Sequence, residues 1–478
     1  MNGFTVGFDL DMTLIDSRGG IAAVLDRLSR DDGVVIDSVL ATSRLGPPLE
    51  TELAHWYAAE QVPAGAERFR ALYPELAVAA APLLPGAREA VDAVRRHGGR
   101  VVVVTGKYGP NARLHLDHLG LEVDDLVGSL HGAGKAAALR AHGAAVYVGD
   151  HLGDVAGGKA AGACTVGVAT GPYDPAALRA AGADHVLDDL HDFPGWLDDY
   201  LLDTRLAALC TALREAGPLL VAFSGGADSA FLLAAAVRAL GPDGVMAATA
   251  VSASLPQAEL ESAAAFAAGL GVRHLTPRTE EMARVGYRAN AGDRCWFCKA
   301  ELLDVLVPLA AAHGLAHVVT GTNVDDAVAG FRPGIAAAAE RGAFTPLRDA
   351  GLTKAQVRTA SHCWGLSTWD KPAAACLSSR VAYGVTITPA RLARVERAEV
   401  ALRAALVDAG IGVRDLRVRD LGDRARVEVD REHVEAVAGD ARVVAAVRAA
   451  GFVEVEVDPR GFRSGALNEM LPDSARYR

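Results

Sequence analysis

The chain has 478 residues, enough for about three domains of ordinary size. With 48 Lys and Arg against 59 Asp and Glu it carries a net charge of -11, which argues against a protein that wraps a nucleic-acid backbone. Hydrophobic residues make up 51%, yet no run approaches the roughly 18 uncharged apolar residues of a membrane-spanning helix, so we expect a soluble, cytoplasmic protein with packed cores and no membrane partner.

Short runs of β-branched residues alternate with alanine-rich helical stretches along most of the chain. The clearest strand-like runs lie at 4–8, 101–105, 146–148, 219–223 and 318–320. Such alternation is typical of βα units, which form parallel sheets covered by helices on both faces. The sequence therefore predicts an α/β fold class with two parallel-sheet domains.

The order of these elements predicts where the domains begin and end. Residues 193–195 (Phe-Pro-Gly) are expected to close the first domain, and a helix at about 203–216 to open the second. Residues 17–85 have helical periodicity without strong strands, which indicates a helical insert. From about 385 a long helix and two strand-like segments predict a small α+β domain. The predicted domains are 1–200, 203–384 and 385–478.

Two carboxylates follow the first strand. Asp9 and Asp11 are separated by one residue, so both side chains point from the same face of the strand end. One carboxylate can attack phosphorus while the other protonates the leaving oxygen, and Mg²⁺ can bridge to the phosphoryl group.

Three later strand ends carry groups that suit the same chemistry. The Thr105 hydroxyl can hold a phosphoryl oxygen, and Lys135 can neutralise the developing negative charge. Lysine occurs only six times in the chain, so a lysine inside a motif is less easily attributed to ordinary surface charge. The segment Gly-Asp-His-Leu-Gly-Asp at 149–154 offers two further carboxylates. The predicted magnesium ligands are Asp9, Asp11, Asp150 and Asp154.

These four motifs, in this order, resemble the haloacid dehalogenase (HAD) superfamily over residues 1–200, and most closely its phosphoglycolate phosphatase branch. The resemblance implies a Rossmannoid sheet with a helical cap at about 17–85, and a Mg²⁺-dependent phosphatase that works through an aspartyl-phosphate. Met12 stands where a glycine is usual in the family. A non-catalytic HAD domain, acting as a scaffold or ligand sensor, is therefore the alternative.

The segment 219–230 predicts a buried strand, a glycine turn and a helix start. Two glycines let the backbone approach a ligand closely, and successive N–H groups at a helix start can cradle an anion. Asp228 would repel a phosphate unless it holds Mg²⁺ or orients the loop. The predicted ATP-binding residues are Ser224, Gly225, Gly226, Asp228 and Ser229.

The hexapeptide Ser-Gly-Gly-Ala-Asp-Ser resembles the PP-loop ATP pyrophosphatases, which cleave ATP to AMP and pyrophosphate and so activate a carbonyl as its adenylate. Four further segments, at 294–299, 321–334, 369–380 and 461–468, resemble the LarE-type ATP-dependent sulfur transferases over residues 203–478. The resemblance implies an adenine-nucleotide α-hydrolase fold followed by a substrate-binding or oligomerisation domain, and a homo-oligomer. It implies pyridinium-3,5-biscarboxylate mononucleotide as the substrate, on the way to the nickel-pincer nucleotide cofactor of lactate racemase.

By the same resemblance Cys376 bears the sulfur, and Arg380, Arg417 and Arg419 are candidates for the substrate phosphate or carboxylate. A substrate carboxylate would attack the α-phosphorus, and the Cys376 thiolate would then displace AMP. Cleavage of its own Cβ–S bond would leave dehydroalanine, so the enzyme would act once. Either Lys371 or Arg380 is expected to lower the pKa of this thiol.

The pair Cys295 and Cys298 opens a second route. With Cys376 these residues offer three thiolates, which suit a four-iron four-sulfur cluster that passes on a sulfide. The two roles of Cys376 exclude each other, and the pair alone is also compatible with zinc or a redox couple. A PP-loop tRNA thiolase is the rival function, against which the acidic balance counts. The other cysteines, Cys164, Cys210 and Cys363, are expected to be buried small hydrophobic residues.

Overall fold

The computed structural model describes residues 4–328, 333–372, 375–463 and 466–470. The chain divides into two compact units, Met1–Leu201 and Leu202–Arg478. Three of the sequence motifs lie partly outside the described residues, at 329–332, 373–374 and 464–465. Within the described ranges no helix combines the length and the apolar character needed to cross a bilayer.

The first unit is built on a six-stranded parallel sheet with the order β3-β2-β1-β4-β5-β6. Its central strands are buried on both faces and read as continuous apolar runs, as parallel strands under two helical layers do. Phe8, the last residue of β1, pairs with both Val103 and Val148, so three strands end at one edge. The strands are β1 (Thr5–Phe8), β2 (Arg100–Val104), β3 (Asp125–Val127), β4 (Ala144–Gly149), β5 (Cys164–Val168) and β6 (His185–Leu187).

Helices cover the sheet, and four of them form the insert between β1 and β2. The insert has its own core, which includes Leu25, Leu28, Phe69 and Tyr73. The helices are α1 (Arg18–Asp32), α2 (Ser38–Thr42), α3 (Leu49–Leu53), α4 (Val62–Leu76), α5 (Ala87–Arg96), α6 (Gly109–Leu119), α7 (Lys135–Ala141), α8 (Leu152–Ala161), α9 (Pro175–Ala180) and α10 (Phe193–Ala216).

The prediction for residues 193–216 was wrong in one respect. The helix expected at about 203–216 instead begins at the Phe-Pro-Gly of 193–195, as α10, and runs without a break to Ala216. Proline is tolerated in the first turn of a helix because the N–H it lacks has no partner there. A Pro-Gly pair is therefore no reliable stop when it falls at a helix start.

The second unit contains a four-stranded parallel sheet with the order β10-β7-β8-β9. Ala222, at the end of β7, pairs with both Thr320 and Ala248, so the carboxyl ends of three strands again meet at one edge. Buried side chains lie on both faces of this sheet. The α/β fold class predicted from the sequence is confirmed. The strands are β7 (Leu219–Ala222), β8 (Val245–Ala248), β9 (Arg273–Leu275) and β10 (His317–Thr320).

A smaller three-stranded sheet follows, in which β12 pairs antiparallel with β11 and parallel with β13. Its core also includes Tyr287, Leu377 and Val381, so the segment around Cys376 packs against this sheet. The strands are β11 (Leu416–Asp420), β12 (Arg424–Val429) and β13 (Glu454–Val457).

The helices of the second unit surround both of its sheets. They are α11 (Ala227–Leu240), α12 (Gln257–Gly269), α13 (Val285–Ala289), α14 (Arg294–Ala312), α15 (Val324–Val328), α16 (Pro333–Glu340), α17 (Pro346–Asp349), α18 (Lys354–Cys363), α19 (Pro389–Asp408), α20 (Val434–Gly439) and α21 (Ala441–Ala449).

Candidate active sites

Three carboxylates of the first unit meet at the carboxyl edge of its sheet. Asp9 directly follows β1, and Asp150 and Asp154 follow the neighbouring strand β4. One oxygen of each lies within 4.8 Å of the others, and all three side chains are buried. Carboxylate oxygens at this spacing can share a single hard cation such as Mg²⁺. Three of the four predicted magnesium ligands therefore form one site.

Lys135 compensates the charge of this site. Its Nζ lies 2.6 Å from Asp154 Oδ1 and 3.1 Å from Asp9 Oδ1. It also donates a hydrogen bond of 2.9 Å to the hydroxyl of Tyr147. Asp9 Oδ1 is buried and makes no hydrogen bond of good geometry within the described residues. Apart from the Lys135 ion pair, that oxygen has no polar partner of good geometry among the described residues, so it can accept a metal ion.

Asp11 has a different partner, which was not among the predicted residues. Its carboxylate lies 2.6 Å from Nζ of Lys107, in the loop after β2. The same ammonium lies 4.9 Å from the ring centre of Tyr73, on α4 of the insert. A lysine two residues after Thr105, in a chain with six lysines, was the signal that could have identified it. Lys107 therefore links the Asp11 carboxylate to the insert.

Burial and neighbouring charges separate the pKa values of these carboxyl groups. Burial raises the pKa of Asp9 to about 6, although Lys135 opposes the shift. Burial, with the charges of Asp154 and Asp9, raises the pKa of Asp150 well above its ordinary value. For Asp11 burial acts in the same direction, but the charge and hydrogen bond of Lys107 outweigh it and the pKa is lowered. Protons therefore compete with a cation at Asp9 and Asp150.

A cavity of about 400 Å³ opens over these groups. Thr105 lines it from the end of β2, where its Oγ1 accepts a 3.2 Å hydrogen bond from the backbone N–H of Lys107. The far wall comes from the insert and includes Arg44, Phe69 and Tyr73. The insert therefore supplies the charged and aromatic groups that a phosphoester would meet beyond its phosphate.

Met12 adopts the left-handed conformation, with φ of 56°, and its side chain is buried. A non-glycine residue pays about 1–2 kcal/mol for this conformation. Its backbone carbonyl accepts a 2.5 Å hydrogen bond from the Thr170 hydroxyl, which holds the loop in place. The position that the family fills with glycine thus keeps a glycine-like backbone here.

In the second unit, the turn between β7 and α11 forms an open cradle. Gly225 has φ of 71°, in the region that favours glycine. The hydroxyls of Ser224 and Ser229 lie 3.1 Å apart, and Ser229 also donates to the carbonyl of Gly226 at 3.1 Å. The loop lines a cavity of about 310 Å³. A turn of N–H groups and hydroxyls at a helix start can hold a phosphate.

The contacts of Asp228 favour loop orientation over magnesium binding. Its carboxylate lies 2.7 Å from Nζ of Lys354 and accepts a 3.2 Å hydrogen bond from the Asn323 amide. Both partners lie outside the loop, on or near α15 and α18. The negative charge next to the cradle is therefore compensated by a lysine.

Two segments bring the three predicted sulfur ligands together. Cys295 and Cys298 lie in the first turns of α14, and Cys376 directly precedes the turn Leu377–Arg380. Burial raises the pKa of the Cys298 thiol, and the charges of Cys376 and Cys295 raise it further. The three thiols are therefore close enough to act on one another electrostatically.

Arg294 is the buried cation of this thiol cluster. It donates hydrogen bonds of 2.6 Å to the side chain of Asn290 and 2.8 Å to the carbonyl of Ser378. Burial lowers the pKa of Arg294, but the charges of Cys376 and Cys295 outweigh it and the pKa is raised. The position of Arg294 directly before the CxxC pair could have identified it from the sequence. Arg294 thus ties the helix start to the turn that carries Cys376.

The two cations expected to act on the Cys376 thiol both have other partners. Lys371 donates to the carbonyl of Gly225 at 3.0 Å and lies 2.7 Å from Glu259, so it closes the glycine turn. Arg380 lies 3.0 Å from Glu399 and donates to the backbone carbonyl of Cys376, not to its sulfur. Both cations instead bind a carboxylate and a backbone carbonyl.

The three predicted substrate arginines differ in their contacts. Arg380 is paired with Glu399, and Arg419 lies 2.7 Å from Glu428. Arg417 donates to the carbonyl of Leu416 and has its guanidinium 5.3 Å from the ring of Phe462. Burial lowers the pKa of Arg417, and the charges of Arg380 and Arg419 add to the effect.

The expectation for the remaining cysteines was wrong. Cys363 is exposed, and Cys164 and Cys210 are half-buried. Cys363 is the last residue of α18, where the helix end faces solvent. Burial still raises the pKa of the Cys164 thiol to about 11.

Comparison with known families divides the chain in the same way. The model for haloacid dehalogenase-like hydrolases matches residues 6–159, and a second HAD-hydrolase-like model matches residues 129–193. A phosphoglycolate phosphatase of Rhodospirillum rubrum is 32% identical over 215 residues, which span 40% of this chain and 89% of that protein.

Two further relatives are matched over more than half of this chain. The uncharacterised protein slr1717 of Synechocystis sp. is 42% identical over 274 residues, which span 57% of this chain and 99% of that protein. The pyridinium-3,5-bisthiocarboxylic acid mononucleotide synthase of Lactiplantibacillus plantarum is 33% identical over 271 residues, which span 56% of this chain and 96% of that protein.

Proposed function

We propose that the two units of this chain catalyse two separate reactions. The first unit belongs to the haloacid dehalogenase-like hydrolases, and the second belongs to the family of pyridinium-3,5-bisthiocarboxylic acid mononucleotide synthase. The first hydrolyses a phosphoester with Mg²⁺. The second uses ATP to convert a carboxylate of pyridinium-3,5-biscarboxylate mononucleotide to a thiocarboxylate, a step toward a nickel-pincer nucleotide.

One observation carries the proposal for the second unit. The cavity over the glycine turn is lined by Lys299, which directly follows Cys298 on α14. The helix that carries two of the thiols therefore also forms a wall of the nucleotide cradle. Adenylation and sulfur transfer take place at the same carboxyl group of the substrate. A wall shared by the nucleotide cradle and the thiols allows the nucleotide and the sulfur to reach that group.

The activation step requires ATP in this cradle. A carboxylate oxygen of the substrate attacks the α-phosphorus, the bond to the pyrophosphate oxygen breaks, and pyrophosphate leaves with that electron pair. The product is an acyl-adenylate. In this proposal the N–H groups of the turn and the hydroxyls of Ser224 and Ser229 hold the departing phosphates, as the start of a helix can.

The sulfur step then replaces AMP. A sulfur nucleophile attacks the acyl carbon, and the carbon–oxygen bond to AMP breaks with its electron pair on the phosphate oxygen. If Cys376 is the nucleophile, later cleavage of its Cβ–S bond leaves a thiocarboxylate and dehydroalanine. Arg294 holds the turn that carries Cys376 in either route.

The thiol cluster offers the three thiolates that a four-iron four-sulfur cluster with one open iron would use. Cys295, Cys298 and Cys376 would hold a cluster with three cysteine ligands, and a bound cluster would supply sulfide.

For the first unit, the residues have distinct tasks. Asp9 is the nucleophile, since its Oδ1 is buried and makes no good hydrogen bond within the described residues. Asp11 moves the proton to and from the leaving oxygen, and Asp9, Asp150 and Asp154 would hold Mg²⁺, which offsets phosphoryl charge. Thr105 and Lys135 bind the transferred group.

Two experiments test these assignments. Phosphate release from p-nitrophenyl phosphate by the full chain should fall at least about 10⁴-fold in Asp9→Asn. Phosphate release that is unchanged in Asp9→Asn would contradict Asp9 as the nucleophile, and release that is absent from the unsubstituted chain would support a scaffold role for the first unit. For the second unit, iron content after anaerobic purification and intact mass after turnover separate the two sulfur sources. Iron with an unchanged mass supports the cluster, and loss of the elements of H₂S from Cys376 supports the single-use route.

A further inference from the structure

The lysines of this chain are concentrated at its two candidate sites. Lysine occurs six times in 478 residues. Lys107 and Lys135 bind carboxylates of the first site. Lys354 and Lys371 hold Asp228 and the carbonyl of Gly225 at the nucleotide turn. Because arginine provides nearly all other cations of the chain, a lysine in a candidate site is less easily attributed to ordinary surface charge.

Lys299 is the remaining lysine of the second unit, and it lines the nucleotide cavity itself. It lies in the second turn of α14, facing the same cavity as Ser224, Ser229 and Thr320. Among the described lining residues it is the one basic side chain, and the acidic ones are Asp228 and Asp326. A Cβ added to Gly334 would lie 3.5 Å from its Cβ, so α16 packs closely over its stem.

The contacts of the three lysines assign them different tasks. Lys354 and Lys371 are each ion-paired, with Asp228 and Glu259. Lys299 makes no hydrogen bond or ion pair with any other described side chain.

We propose that Lys299 binds the α-phosphate of the nucleotide and keeps that contact from ATP through the acyl-adenylate to AMP. The inference rests on the proposed function of the second unit. Lys299 lines the cavity over the glycine turn and directly follows Cys298 on α14, so a phosphate in that cavity would have this cation on the side of the helix that carries two of the thiols. During activation the ammonium offsets charge on the non-bridging oxygens, and during sulfur transfer it offsets charge on the departing AMP oxygen.

The test compares Lys299→Met with Lys299→Arg and with Lys159→Met in the full chain. Lys159 is exposed on α8 of the first unit and serves as the matched control. Pyrophosphate–ATP exchange with pyridinium-3,5-biscarboxylate mononucleotide measures activation, and calorimetry with AMP measures binding without chemistry. Thermal unfolding checks that each variant is folded.

We expect Lys299→Met to lower exchange about 100-fold and to weaken AMP binding at least about tenfold. Lys299→Arg should recover part of both, because it keeps the charge, and Lys159→Met should match the unsubstituted chain. Exchange and AMP affinity within about twofold of the unsubstituted chain in Lys299→Met would overturn the inference. No exchange in the unsubstituted chain would instead refute the proposed function, whereas AMP binding would still report on Lys299.

Discussion

The candidate phosphate sites of the two units are built from different groups. In the first unit the site is a buried group of side-chain charges, in which Asp9, Asp150 and Asp154 face Lys135. In the second it is an open turn of backbone N–H groups, made possible by the positive φ of Gly225. A site of buried carboxylates depends on protonation and on a cation, whereas a backbone cradle depends on the shape of one turn. The two sites should therefore respond differently to pH, metal and substitution.

The largest effect on activity is expected from removing the Cys376 thiol of the second unit. Cys376→Ser should lower thiocarboxylate formation at least about 10³-fold, because both sulfur routes need this thiol. Pyrophosphate release should persist, since the turn at Gly225 is unchanged. Product analysis by mass spectrometry measures both, and Cys363→Ser, an exposed cysteine on α18, is the matched control. Thiocarboxylate formation by Cys376→Ser would contradict the assignment.

A second cysteine substitution sharpens the same point. Cys298→Ser should abolish multiple turnovers if the thiol cluster holds iron, but should leave a single turnover if Cys376 gives up its own sulfur. Counting product molecules per chain under anaerobic conditions distinguishes the two. Repeated turnover by Cys298→Ser would contradict the cluster.

In the first unit, Lys107→Met should lower kcat for alkyl phosphates by about 100-fold. The reason is that Lys107 Nζ, 2.6 Å from Asp11, holds the carboxylate that moves the proton. Lys107→Arg should restore part of the rate, and KM should change less than kcat. Steady-state kinetics measure both values. A kcat equal to that of the unsubstituted chain would show that Asp11 is positioned without Lys107.

The dependence on pH should differ between the two sites. The pKa of Asp9 is raised to about 6, so below that pH a proton must leave before Mg²⁺ can bind. Apparent magnesium affinity of the first unit should therefore fall as pH drops through 6, by at least roughly tenfold per pH unit below it, and more steeply where Asp150, whose pKa is also raised, binds a second proton. Calorimetry in buffers of different ionisation enthalpy should also detect proton release. AMP binding at the cradle should follow only the protonation of the AMP phosphate itself, at pH ~6, so proton release from a protein carboxyl should be confined to the first unit.

The smallest expected effect concerns Met12. Replacing it with glycine removes about 1–2 kcal/mol of backbone strain but also removes a buried side chain worth about 2–5 kcal/mol. Packing should win, so Met12→Gly should lower the free energy of unfolding by about 1–3 kcal/mol. Denaturant unfolding of the first unit measures this. A more stable variant would show that strain at Met12 outweighs its packing.

The sequence predicts the fold well where local pattern and fold agree. Continuous apolar runs such as Val101–Val104 mark strands buried on both faces, and the motif order places carboxylates at strand ends. The sequence does not predict side-chain contacts between residues that are far apart in the chain, because these contacts depend on how the elements pack. Asp11 and Lys107 are 96 residues apart, and Arg294 reaches the carbonyl of Ser378 across 84.

Arginine and lysine positions near a motif show the same limit. Lys371 is five residues from Cys376, yet it closes the turn at Gly225. Arg380 is four residues away and binds Glu399. The number of residues between two positions does not tell whether their side chains meet. A buried cation needs an acceptor, so its observed hydrogen bonds show which groups it contacts. Identifying the cation of a thiol cluster therefore needed the packing of α14 against residues 376–380.

The most direct test of the account is one stoichiometry, measured under strict exclusion of oxygen. The full chain is given ATP, Mg²⁺ and pyridinium-3,5-biscarboxylate mononucleotide, and pyrophosphate, AMP and thiocarboxylate are counted together. We predict one pyrophosphate and one AMP for each thiocarboxylate formed. Release of ADP and inorganic phosphate, or pyrophosphate release without any thioacid, would contradict the claim that the second unit couples ATP cleavage to sulfur transfer.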